Sequence, residues 1–131
     1  MFRSERGAVL VIAVVMMVTL MASAAIVIDV GQLFLTKKRL QNAADASALA
    51  GCFTLVNKGD PALADTESSK YLTANLSGEF QQSTTADLNK NTFRITINQE
   101  VKHFFAPVIG INSTTVRAAA TAGGNTVISI T

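Results

Sequence analysis

Residues 7–28 form an unbroken apolar run of about 22 residues that carries no charged side chain. At 1.5 Å per residue, a helix of this length extends about 33 Å, which is enough to cross the hydrocarbon core of a bilayer. Arg3 and Arg6 lie in the short stretch that precedes the run. The pattern therefore predicts a basic leader over residues 1–7 and a transmembrane helix over residues 8–28.

The helical pattern continues beyond Asp29. Residues 29–56 contain no proline and are rich in alanine, so their helix propensity is high. Apolar and small residues recur there at spacings of three and four and share one face: Leu33, Leu40, Ala44, Ala48, Gly51 and Leu55. Gly31 is the weak point, where we expect a kink. The sequence thus predicts one pilin-like rod to about residue 56, with a membrane half and a soluble half.

The remainder of the chain changes period. Turn residues at 57–61 are followed by a second short helix over residues 62–76. Phe93, Ile95, Ile97 and Val101 then alternate with polar residues, as in a half-buried strand. Further strands are predicted over residues 80–88, 115–121 and 125–131, with a hairpin turn at 89–91. The expected fold is α+β, with an antiparallel sheet of three to four strands packed on the soluble half of the long helix. Residues 29–131 would then form one domain.

The apolar segment has three alternative fates. It can remain as a membrane anchor, or be removed as a secretory signal after Ala24, because Ala22, Ser23 and Ala24 form an A-x-A cleavage pattern. The second fate would release a small secreted binding module. The third is pilin-like cleavage between Gly7 and Ala8. The apolar pattern continues past Ala24, and this favours a segment that is retained.

Small residues and one carboxylate mark a candidate helix-packing surface at the end of this segment. Ala22, Ser23, Ala24 and Ala25 would allow close helix contact, and Gly31 lies six residues further on. Asp29 has two alternative roles. Its carboxylate either reaches water at the membrane surface or pairs with a charge on a neighbouring subunit.

The residues that carry chemistry are few. Cys52 and His103 are the only cysteine and histidine, so an intramolecular disulfide and a cysteine metal cage are excluded. No nucleophile–base pair or phosphate-binding loop is visible, and we expect no enzyme activity, cofactor or metal. A pocket that joins His103 to a carboxylate would reopen that question. Cys52 is expected either to be buried under the sheet or to link two subunits. The positive residues do not form a run with interleaved aromatic residues, so we expect no nucleic-acid partner.

Two blocks of sequence carry a family resemblance. The first comprises Arg6-Gly7 before the apolar run, Asp29-Val30-Gly31, and the segment RLQNAADASALAG at residues 39–51. The second comprises FAPVIGI at residues 105–111, with Val116 and AAATA at residues 118–122. Together they resemble the TadE/TadG-like family of Flp (tight-adherence) pilus-assembly proteins.

This resemblance implies a structural role in pilus assembly, as a minor pilin or an assembly factor. It implies a bacterial inner-membrane protein with a single span, whose C-terminal domain lies outside the cytoplasm or at the cell surface. The implied partners are the membrane, other pilus-assembly proteins or pilins, and further copies in an oligomer or fibre. The sequence departs from the pilin pattern at Ile12, where such proteins usually carry a glutamate. Cleavage after Gly7, and the choice between anchor and fibre subunit, therefore stay open.

Overall fold

The longest element of the protein is a single helix that joins the apolar segment to the folded domain. The computed structural model describes residues 3–124, and this helix, α1, runs over Arg3–Lys58. Its 56 residues correspond to about 84 Å at the standard rise. Gly31 lies within the unbroken helix. The predicted continuation of the helix past Asp29 is confirmed.

The rest of the chain adds a second helix and a small sheet. Their bounds are α2, Pro61–Asn75; β1, Gln81–Asp87; β2, Thr92–Lys102; a short 3-10 helix, Ala106–Ile109; and β3, Ser113–Gly123. The sheet has the order β1-β2-β3 with antiparallel neighbours. The predicted α+β fold is confirmed with three strands, and the strand predicted over residues 125–131 lies outside the described residues.

Local hydrogen bonds separate the two helices. Gly59 adopts a positive φ of 64° beyond the end of α1, and its N–H donates to the carbonyl of Leu55 at 2.8 Å. The carboxylate of Asp60 then accepts from the N–H groups of Ala62 and Leu63 at the start of α2. Pro61 occupies the first turn, where a missing N–H costs nothing. The predicted turn therefore consists of a C-terminal cap at Gly59 and an N-terminal cap at Asp60.

The hairpin between β1 and β2 is set by Asp87. Its carboxylate accepts hydrogen bonds from the N–H groups of Asn89 and Lys90. Asn91 closes the turn at a φ of 50°, a left-handed conformation that asparagine tolerates better than most residues. Thr92 then pairs with Asp87 across the hairpin. This register places Phe93 and the alternate residues after it on the inner face of the sheet.

The core lies between this inner face and the soluble half of α1. Phe93, Ile95 and Ile97 on β2 are fully buried. Their partners across the ladder on β3 are the alanines at positions 122, 120 and 118. Because alanine projects so little, the helix can approach β3 while the large side chains of β2 fill the space beside it. The predicted stripe on α1 is confirmed: its members from Leu40 to Leu55 are buried, and Leu33 packs at its edge.

Gly51 marks the closest approach of helix and sheet. A Cβ atom added there would lie 2.5 Å from Cε1 of Phe93, well inside van der Waals contact. Glycine at this position is therefore required by the ring that packs on it. On another side of α1, α2 buries Ala64, Ser68 and Leu72, which are spaced four residues apart. Small residues on both helices permit this close packing.

Candidate functional site

The N-terminal half of α1 presents an unburied apolar surface. Among residues 3–124, α1 is the one helix that is long and apolar enough to cross a membrane, and none of its most apolar stretch is buried by the rest of the domain. The large side chains there are exposed, with Leu20 at 71%. A continuous apolar surface of this size is not stable in water and calls for lipid or other helices around it.

A short loop from the domain packs beside the end of this segment. Residues 103–112 connect β2 to β3, and we call them the collar. The N–H of His103 donates to the carbonyl of Asn112 at 3.1 Å and closes the base of the collar. Within it, Pro107 occupies the start of the 3-10 helix, and Gly110, with a φ of 88°, ends it. The apolar residues from Phe104 to Ile109 thus form part of a compact loop.

Asp29 holds the collar against α1. One carboxylate oxygen accepts from the N–H of Phe104 at 3.0 Å, and the other accepts from Phe105 at 3.1 Å and Ala106 at 2.7 Å. These three N–H groups lead into the 3-10 helix and have no other acceptor available within it. The carboxylate therefore fixes where the loop begins and at which level of α1 it sits.

The structure corrects the first role expected for Asp29. The residue is only 5% exposed, so its carboxylate does not reach water freely. Its oxygens are occupied by backbone groups of the same chain. Pairing with a charged residue on a neighbouring subunit is therefore not needed to satisfy them.

The hydrogen bonds at Asp29 change its acidity. Burial acts to raise the pKa of the carboxyl group, while the N–H groups of Ala106, Phe104 and Phe105 and the nearby His103 lower it. The lowering effects prevail, so the pKa of Asp29 lies below its ordinary value of 3.8. The carboxylate is thus charged across the physiological range and is a permanent acceptor for the collar.

Substitution D29N is expected to loosen the collar without unfolding the core. Asparagine offers one acceptor oxygen and no charge, so the three N–H groups lose their common partner. We expect amide hydrogen exchange at Phe104, Phe105 and Ala106 to accelerate by about tenfold, since bonds to a charged acceptor are the stronger kind. In the unmodified protein, the Asp29 carboxylate stabilises the collar fully above pH 3.8. This stabilisation is lost as the pH falls through the lowered pKa of Asp29.

The control for this experiment is D45N. Asp45 lies on the exposed side of the same helix and accepts one hydrogen bond from Gln41, at 3.0 Å. Its replacement should leave exchange in the collar unchanged. Equal acceleration in both variants, or unchanged exchange in D29N, would show that Asp29 does not hold the loop.

Only some of the remaining residues predicted for helix packing lie at the contact between α1 and the collar. Ala22 and Ala25 share a face of α1 with Asp29 and line a cleft between the helix and the collar. Ser23 donates to the carbonyl of Thr19 within the helix, and its side chain does not line that cleft. Four residues lie exposed on α1 outside the cleft: Gly7, Ala8, Ala24 and Gly31. Their roles in cleavage or in packing between subunits stay predictions.

His103 meets the geometric condition that would reopen the question of catalysis. It lines two clefts, one with Glu100 and the other with Asp29. Its Nε2 lies 2.9 Å from the hydroxyl of Thr114, whereas its buried Nδ1 has no hydrogen-bond partner within residues 3–124. A catalytic histidine of the triad type needs an acid bonded to that second nitrogen. Glu100 instead accepts from Ser113, and Asp29 accepts from the collar.

Cys52 lies in the core face of α1. It is a free, buried thiol whose Sγ lies 3.5 Å from the carbonyl oxygen of Asn91. Burial raises the pKa of the thiol, which keeps it protonated and weakly nucleophilic. Of the two roles expected for this cysteine, the buried position under the sheet is the one observed. In the part of the chain described, no group of three or more His, Cys, Asp or Glu side chains is placed to hold a metal ion.

Sequence reasoning missed the partnership between Asp29 and the collar. The two are more than seventy residues apart in the sequence. The carboxylate accepts from backbone N–H groups, which nearly every residue type carries, so the sequence does not reveal which residues donate. The available signal was the apolar cluster from Phe104 to Ile109, interrupted by Pro107 and followed by Gly110. That pattern indicates a turn-rich apolar loop but does not say which element it packs against.

One comparison with known proteins gives a match. Residues 7–64 match the family model described as "Putative Flp pilus-assembly TadE/G-like". The match takes in the apolar segment, Asp29 and the buried stripe of α1, and it spans somewhat less than half of the chain. It confirms the resemblance carried by the first sequence block, whereas the second block lies beyond it. No curated protein and no solved structure matches the chain significantly.

Proposed function

We propose, from the family match over residues 7–64, that this chain is a membrane-anchored structural component of a Flp-type pilus-assembly system. In that system it would act as a minor pilin or as an assembly factor. The apolar half of α1 would lie in the inner membrane as a single span, and the domain formed by the remaining residues would lie outside the cytoplasm.

The observation that carries this proposal is the continuity of α1. The same helix is unburied over its apolar half and forms one wall of the domain core over its soluble half. Leu40, Ala44 and Ala48 are buried in the core of the domain, so the domain and the apolar half of α1 would move together. A rigid link between anchor and domain suits a subunit that must hold its domain at a fixed place in an assembly.

The same continuity argues against a removed signal. Cleavage after Ala24 would leave a helix that begins with Ala25, followed by Ile26, Val27 and Ile28, which are all exposed on α1. A secreted module would carry this apolar end into water. A retained anchor keeps it within the bilayer, where its burial is favourable at roughly 25 cal/mol per Å².

The proposed function is structural rather than catalytic. Support comes from His103, whose Nδ1 has no acid to orient it among the described residues. The proposed partners follow from the family match and from the exposed apolar helix. They are lipid, other pilus-assembly proteins or pilins, and further copies of the chain.

Two measurements on the protein purified from its native cells test this proposal. N-terminal sequencing that starts at Met1 or Phe2 would support the anchor, and a start at Ala8 would support pilin-type processing. A start at Ala25 would overturn both and indicate a secreted module. In addition, the protein should stay with membranes after alkaline carbonate washing, and release into the wash would contradict the anchor.

Mechanical shearing of the cells separates an anchor from a fibre subunit. Recovery in the membrane pellet alone would support an assembly factor that stays in the bilayer. Recovery in the sheared fibre fraction would support a minor pilin, in which the apolar half of α1 packs against neighbouring subunits.

A further inference from the structure

The collar exposes large apolar side chains that the core does not use. Val108 is 88% exposed, Ile109 75% and Phe104 69%. Phe105 and Ile111 are also exposed and belong to the same ten-residue loop. Single exposed apolar residues are ordinary, but five on one short loop form a patch that calls for an apolar surrounding.

The position of the collar along α1 indicates what that surrounding is. The collar is bonded to Asp29 and faces the helix from Leu33 back to Ala22. Ala22 lies seven residues before Asp29, which is about 10 Å along the helix toward its N-terminus. If residues 8–28 span the bilayer, the tip of the collar therefore overlaps the membrane region by up to two helical turns.

The cleft between collar and helix has the chemistry of a lipid contact. It encloses about 490 Å³, and both of its walls are mainly apolar. Ile26 and Val30 line the helix wall, and Val108 and Ile111 line the collar wall. An acyl chain could fill this cleft while the oxygens of Asp29 stay bonded to the collar.

Basic side chains lie just beyond the collar, on the side of the domain. Lys102 directly precedes the collar, and Arg39 lines the same polar cleft as Lys102. Glu100 shares that cleft and accepts a hydrogen bond from Ser113. Long basic side chains above an apolar tip match the phosphate layer above the acyl region of a bilayer.

We propose that the collar inserts into the leaflet on the domain side of the membrane and is a second lipid contact beside α1. This inference rests on the proposed membrane anchor. Its occupant is the lipid of the bilayer, which is continuous with the surface of α1. Insertion of a loop to about 5–10 Å is typical of interfacial apolar elements. Two contacts, one on α1 and one on the collar, fix the rotation of the domain about the helix axis, which a single span does not.

The absence of tryptophan from the sequence makes the test direct. Single tryptophans are introduced into the full chain as V108W, I109W, V18W and F53W, and each variant is placed in vesicles of phosphatidylethanolamine and phosphatidylglycerol. The lipids carry bromine either near the headgroup or near the chain ends. V18W reports on the anchor, and F53W is the matched control, since Phe53 is 72% exposed on the soluble half of α1.

We expect shallow bromine to quench V108W and I109W, deep bromine to quench V18W most strongly, and neither to quench F53W. Quenching of V18W without quenching of either collar tryptophan would overturn the inference and leave the anchor intact. No quenching of V18W would instead overturn the anchor. Collar tryptophans that are shielded from bromine and change their emission with protein concentration would identify a second copy as the occupant, and would also overturn the inference.

Discussion

Lysines at both Val14 and Val18 are expected to release the protein from the membrane. The two residues lie one turn apart near the centre of the apolar segment, and both are exposed on α1. Lysine at the centre of a spanning helix costs about 3 kcal/mol per residue, so the V14K/V18K pair costs about 6 kcal/mol. The measurement is the fraction of protein that resists alkaline carbonate extraction, and we expect most of it to move into the soluble fraction.

A matched pair on the same helix supplies the control. Leu49 and Phe53 are also one turn apart, and at 65% and 72% exposure they are as open as the first pair. The variant L49K/F53K should remain in the membrane pellet, because these residues lie on the soluble half of α1. Release of both variants, or retention of both, would contradict an anchor located at residues 8–28.

Loss of the Phe93 ring is expected to produce the largest change in stability of the domain. Phe93 is the largest fully buried side chain among the described residues, and it packs against the glycine of α1. Substitution F93A should lower the free energy of unfolding by about 3–5 kcal/mol, through lost burial and the cavity left behind. Urea unfolding in detergent, followed by circular dichroism, measures this loss. The control F53A removes an exposed ring from the same protein and should change stability by less than about 0.5 kcal/mol.

Gly51 allows a second test of the same contact. In the unmodified protein, G51A should destabilise by about 1–3 kcal/mol, because its methyl group meets the Phe93 ring at 2.5 Å. In the F93A background that ring is gone, and alanine should then stabilise the helix by up to about 1 kcal/mol. If G51A has the same effect in both backgrounds, the close approach of helix and ring is not what requires glycine.

The elements of the fold were largely readable from local patterns. The apolar run predicted a helix by its membrane-spanning length, and the alanine-rich segment after it extended that helix by its helical spacing and its lack of proline. The alternation around Ile95 and Ile97 predicted β2, and the residues at 57–61 and 89–91 predicted the turns. These features depend on neighbours within a few positions, which is why a single sequence is sufficient to reveal them.

Contacts between distant segments were not readable in the same way. The stripe of small residues on α1 indicated close packing but did not identify the partner. In the structure, Phe93 packs against Gly51, and the alanines of β3 lie beside Phe93 in the sheet. The register of the strands decides which residues meet the helix. That register is fixed by the hairpin at Asp87 and by burial of one complete face of the sheet.

The sequence by itself determined that this protein has a membrane-length apolar helix continuous with a small α+β domain, and that the segment RLQNAADASALAG at residues 39–51 resembles pilus-assembly proteins. Only the tertiary structure decided the role of Asp29, which the sequence placed at the membrane surface or against another subunit. Its partners are three backbone N–H groups on a loop more than seventy residues away. Backbone groups are the same in every residue type except proline, so their pairing becomes visible only when the chain is folded.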